Sequence, residues 1–218
     1  MTTARVSVLR SCVSSLVLQL AIAATAHAQA LSCAEQAGRF GVGAGVVGWL
    51  AEADLAPSSS AAPPFSLRAR RGAAVNAEAD AHIADDFGLR LDVGTGFMHV
   101  ERWGALPGEP HGRIADAGTL RVDRKSLGVT RWFEAGRPTT PICLSWTAGA
   151  GLYKLRYDED TLRCGGIFAA IRASFPASTN TSLDVEARID VIHTASRVPS
   201  HVVDMFTASI SIGFRRRF

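Results

Sequence analysis

In the stretch TSLDVEARIDVIH, Asp184, Glu186, Arg188 and Asp190 recur at every second position. Glu78 and Asp80 repeat that spacing, as do Arg90 and Asp92, and Arg172 stands between two apolar residues. Carboxylates and guanidiniums gathered in one place can pair structurally or line a narrow path for ions or water. Other chemistry would need other groups. His111, His193, Ser196, Ser200 and His201 are candidate base and nucleophile residues near loops, but they reproduce no catalytic arrangement. The run DEDTLR places Asp158, Glu159 and Asp160 together, oxygen donors of the kind Ca²⁺ or Mg²⁺ prefers. It lacks the spacing of a defined cation loop and reads as a solvated charge run. The expectation is therefore no catalytic residue, no metal and no cofactor. The polar cluster Glu78, Asp80, Arg90, Asp92, Arg172, Asp184, Glu186, Arg188 and Asp190 is taken as structural packing, with an ion or water path as the alternative.

A period of two is the geometry of a strand, whose successive side chains point to opposite faces. In the stretch above, Leu183, Val185, Ala187, Ile189 and Val191 share the face opposite the charges. Seven further segments repeat the alternation: 40–50, 67–83, 89–102, 119–133, 142–156, 165–175 and the closing ASISIGFRRRF. In 119–133 the apolar phase changes, from Leu120 and Val122 to Leu127, Val129 and Phe133, and a β-bulge near Arg124–Ser126 is expected there. Connections alternate in character. ADDFG, AGRPTT and PASTN are short turn sequences, whereas 52–66, 104–118, DEDTLR and 196–204 read as longer polar loops.

The first residues are not part of this pattern. Arg5 and Arg10 precede the apolar run LVLQLAIAA, and Ala26 and Ala28 are spaced for signal peptidase, with cleavage after 30 as a second choice. Residues 1–28 are read as a secretory signal, 29–38 as a short periplasmic segment and 39–218 as one folded unit. Without Arg5 and Arg10 the formal charge falls from +3 to about +1, which gives no case for nucleic acid. No remaining run suits a membrane-spanning helix.

Eight amphipathic strands with short turns at one end and longer loops at the other fit an eight-stranded antiparallel up-and-down transmembrane β-barrel. Closure pairs every backbone group, as lipid demands. Aromatic residues fall in two groups that would make interfacial girdles: Phe40, Trp132, Phe133, Phe175, Phe214 and Phe218 at the short-turn end, and Trp49, Phe65, Trp103, Tyr157 and Phe206 at the other. The competing architecture is a soluble lipocalin-like periplasmic ligand binder, apolar inside and polar outside. Charges of both signs on the polar face favour the membrane reading. An eight-stranded lumen is just wide enough to be filled by side chains. Cys143 and Cys164 fall a barrel height apart at about 3.3 Å per residue, so neither reaches the other. Cys33 lies at the same end as Cys143, and a disulfide, if present, is expected between those two.

The signal, the eight strands and the alternation of Ile210, Ile212, Phe214 and Phe218 up to a C-terminal aromatic resemble the small outer-membrane barrels of OmpA and OmpX type. Arg216 departs from that pattern, occupying an apolar position. The resemblance implies outer-membrane residence after export by the general secretory route. It also implies a C-terminal signal read by the barrel insertion machinery, help from periplasmic chaperones, contact with outer-membrane lipids and lipopolysaccharide, and a monomer. It implies a structural or surface-interaction role through the longer loops. The alternatives are a lipid-modifying barrel enzyme at the outer rim, and the soluble binder above.

Overall fold

The computed structural model describes Cys33 and residues 39–55, 65–84, 86–104, 112–135, 142–193 and 205–218. The signal peptide, nearly all of 29–38, and His111, Ser196, Ser200 and His201 lie outside the described residues.

Eight strands run in chain order: β1 Phe40–Leu55, β2 Phe65–Ala84, β3 Phe87–Gly104, β4 Gly112–Ala135, β5 Ile142–Tyr157, β6 Asp160–Ser178, β7 Thr181–His193 and β8 Met205–Arg217. Each pairs antiparallel with the next, and β8 returns to β1, closing the sheet. The β1–β8 seam is continuous from Gly41↔Arg217 to Glu52↔Phe206. The Phe218 amide donates to the Phe40 carbonyl at 2.8 Å. Closure leaves the described strands without an unpaired edge, the condition for β-structure in lipid. About ten residues cross the apolar band at the usual tilt. The 24 residues of β4 therefore reach well past it.

The faces sort cleanly. Along β7, Asp184, Glu186, Arg188 and Asp190 point inward and are buried, while Ile189 and Val191 lie 47% and 44% exposed on the outer wall. Val46, Leu50, Leu152, Ile167, Ile171 and Ile210 are likewise outward and exposed. A monomer in water does not carry so large a contiguous apolar surface. The outer wall is thus the greasy one, and the lipocalin-like arrangement, with its apolar face inward, does not describe this barrel.

One strand and one connection differ from expectation. Registers on both sides of β4 run unbroken from Leu120 to Arg131, so Arg124–Ser126 contains no bulge. The apolar phase changes because Leu120 and Val122 point into the lumen and are buried, while Leu127 and Val129 point out. The backbone is regular, and it is the lumen that turns apolar near the long-loop end. Irregularity appears further along, beside Gly118 with its φ of 107°. DEDTLR is not a long loop either. β5 and β6 pair down to Tyr157↔Asp160, and the turn is Asp158–Glu159, with Asp158 at a φ of 55° that aspartate tolerates.

Candidate functional site

The inward residues form two storeys. Nearest the short turns is a charged plug. Arg90 on β3 donates to Glu78 of β2 at 2.7 Å and to both oxygens of Glu186 on β7, across the barrel. Arg172 on β6 bonds Glu186 at 2.8 Å and also pairs with Glu78, and its other nitrogen lies 3.6 Å from Asp184 and 3.8 Å from Asp80. Arg188 on β7 meets Asp190 at 2.7 Å and lies 3.6 Å from Asp92. The nine polar residues expected inside are all brought together here.

Three guanidiniums join them that the sequence reading passed over. Arg124 on β4 donates to Asp92 at 2.8 Å. Arg215 on β8 reaches Asp184 at 2.8 Å, and Glu78 and Asp80 at 3.3 Å each. Arg217 is buried on the same face. The signal for Arg215 and Arg217 was available, since both share the phase of Ser209 and Ser211 rather than that of Phe214. With these three, six carboxylates face six guanidiniums, so the plug is balanced in formal charge. Buried charges are tolerated when paired in this way.

Glycines make the room. A Cβ on Gly43 of β1 would lie 2.9 Å from a Glu78 carboxylate oxygen. One on Gly149 of β5 would meet the Leu127 carbonyl at 2.1 Å and the Phe168 ring at 2.8 Å. Phe168 thus lies flat across the β4–β5 wall, with the Arg188 guanidinium 3.8 Å above its centroid.

The storey toward the long loops is apolar. Trp49, Met98, Val100, Leu120, Ile192 and Met205 are buried against one another, and Cys164 is buried with its thiol unbonded. Tyr153 spans the junction, donating its hydroxyl to Asp190 at 2.6 Å. The expected polar interior therefore fills only part of the lumen. Trp49 is correspondingly not a girdle residue, and neither is Trp132, which faces inward and stacks on His82 with centroids 5.5 Å apart. Phe40, Phe133, Phe206, Phe214 and Phe218 are outward and exposed.

Cys33 and Cys143 are joined, with Cα atoms 5.4 Å apart. Cys143 faces inward near the short-turn end of β5, so the bond ties the N-terminal segment to that mouth of the lumen. Ile210, Ile212, Phe214 and Phe218 all point outward. Arg216 shares their face, 5.4 Å over the Phe218 ring at the rim, where a long cation can reach lipid headgroups. Among the described residues, no group of His, Cys, Asp or Glu is arranged to hold a metal, and His193 stands exposed at the end of β7.

A closed eight-stranded meander with an apolar outer wall and an ion-paired lumen defines a transmembrane β-barrel. More narrowly, this chain has the fold of the small eight-stranded outer-membrane barrels. It superposes on the outer membrane protein OprG from Pseudomonas aeruginosa with a TM-score of 0.60 at 13% identity, covering 84% of this chain and 98% of OprG. It is also similar to Neisserial surface protein A, with a TM-score of 0.49 at 17% identity over 83% of this chain and 98% of that one. No protein-family model and no curated protein matches the chain.

Proposed function

We propose that this protein resides in the outer membrane as a closed barrel, impermeable to solutes, which acts through its outer surface and longer loops. The observation that carries this reading is the filled lumen. A cavity among Glu78, Arg172 and Glu186 measures about 10 Å³, as does one between Trp49, Met98, Arg124 and Asp190 at the junction of the storeys. Such a space holds about one water and no solute. Salt-bridged side chains from six strands close the lower storey, and packed apolar side chains close the upper. An ion crossing the barrel would have to displace both. Export by the secretory route, insertion by the outer-membrane machinery and a monomeric state belong to the same reading.

Reconstitution into planar bilayers tests it. The expected record shows no discrete conductance steps. Reproducible steps from folded, heat-modifiable protein would make the barrel a channel instead. Outer-membrane residence is checked separately by fractionating cells that express the full chain.

A further inference from the structure

On β4, β5 and β6 the outward face changes from apolar to cationic at one level. Descending toward the short turns, β4 presents Lys125 and then Leu127 and Val129. β5 presents Lys154 and then Leu152, and β6 presents Arg163 and then Gly165 and Ile167. Strand pairing aligns these positions. Thr95↔Asp123, Asp123↔Lys154 and Lys154↔Arg163 form one transverse row, with Arg121↔Arg156 in the next row out and Lys125↔Leu152 in the next row in. Five cations thus surround one carboxylate.

That carboxylate is already engaged. Asp123 accepts from the Thr95 hydroxyl at 2.6 Å, from Arg121 at 3.1 Å and from Arg156 at 2.7 Å. Lys125, Lys154 and Arg163 have no hydrogen-bond or ion-pair partner among the described residues. By contrast, the outward Arg70 on β2 has Glu101 at 3.6 Å. The patch borders a concavity of about 950 Å³ lined mainly by outward residues, which also touches the inward Asn76, Arg124, Tyr153 and Cys164. Its lining includes Lys125, Lys154 and Arg163, with Val75, Val93 and Leu152 in the same rows, and the next row toward the short turns is the apolar Leu127↔Ala150↔Ile167. Unpaired cations at the upper margin of a lipid-facing wall lie where headgroups begin. A wall apolar below, at Leu127, Ala150 and Ile167, and cationic above matches an amphiphile with acyl chains and clustered negative charge.

We infer that this wall of β4–β6 is a docking site for a lipid carrying more than one phosphate on its headgroup, the lipid A portion of lipopolysaccharide in the outer leaflet. The phosphates would lie against Lys125, Lys154 and Arg163, with an acyl chain along Leu127 and Ile167. Arg121 and Arg156 are held by Asp123 and take a smaller share. The inference rests on the outer-membrane reading above and names the lipid partner within it.

The test folds the full mature chain into phosphatidylcholine vesicles containing bis-phosphorylated lipid A. Insertion is measured by heat-modifiable mobility, and lipid retained by the extracted protein is measured by native mass spectrometry. The wild-type protein should retain lipid A saturably. The K125Q/K154Q/R163Q variant should fold equally well and bind roughly a hundredfold more weakly, given the usual contribution of each surface cation at a charged membrane. D123N releases Arg121 and Arg156 and should bind more tightly than wild type. R131Q, an outward change toward the short-turn end of β4, should bind as wild type. Equal retention by the triple variant, or equal retention of dephosphorylated lipid A or of phosphatidylglycerol, overturns the inference while leaving the membrane reading intact. A chain that fails to insert at all overturns both.

Discussion

The plug's energetics turn on Arg172, whose guanidinium serves four carboxylates: Glu78, Asp80, Asp184 and Glu186. Removing one partner of a buried pair leaves charge without compensation, at a cost of about 3–5 kcal/mol. Arg172→Met should therefore lower barrel stability by about that amount, read as a shifted urea midpoint of the folded electrophoretic band. Joint replacement of Arg172 and Glu186 by apolar residues should cost less than the two single changes added together. An additive result would mean that they do not interact. Gly149→Val makes a steric prediction at the same scale. Its Cβ would fall 2.1 Å from the Leu127 carbonyl, and the Phe168 ring blocks the other side. The refolded fraction should drop sharply, whereas Gly165→Ala, with open space around it, should refold as wild type. Period-two spacing was enough to place Glu78 through Asp190 on one face. It was not enough to place Trp132 and Phe168, whose rings lie against Gly88 and Gly149 of the neighbouring strands, because that pairing runs between strands.

At the scale of the strand, alternation identified all eight elements and their order but not always which face was which. β7 was readable because one face is charged and the other aliphatic. β4 was not, because its inward face is apolar near the long loops and polar lower down, so Leu120 and Val122 mimic a slip of register. Single cysteines separate a bulge from a regular strand. At positions 120 and 122 they should resist aqueous thiol reagents and lipid-borne quenchers alike, whereas at 127 and 129 they should be quenched from the lipid. If a cysteine at 122 is quenched like one at 127, the strand carries the bulge and the apolar storey is wrong. The hairpin between β5 and β6 shows a second limit. DEDTLR is polar enough for a loop, yet Arg163 and Thr161 continue the ladder to Tyr157↔Asp160, so polarity marked the departure from lipid rather than the end of the strand. The Cys33–Cys143 bond was legible from which end of the barrel each residue occupies, and non-reducing peptide mapping of the folded protein should recover that one bridge and a free Cys164.

For the molecule as a whole, one sheet separates two media, and its outer wall must be graded to match the bilayer rather than uniformly apolar. Ile171 is 62% exposed on β6 well inside the apolar stretch, whereas Leu152 on β5 stands next to Lys154 at its upper margin. A cation on the lipid face costs about 2–4 kcal/mol at the bilayer midplane and about 0–1 kcal/mol near the interface. Ile171→Arg should therefore destabilise the folded barrel in vesicles by about 2–4 kcal/mol, and Leu152→Arg by less than about 1 kcal/mol, although Leu152 is the more exposed of the two in the isolated chain. A soluble barrel would remove the contrast, since either arginine would simply enter water and change stability little. The two substitutions thus measure depth directly. If Leu152→Arg proves as costly as Ile171→Arg, the boundary lies farther out than Lys154. The unpaired cations of β4–β6 would then sit in hydrocarbon, where they could not face phosphate.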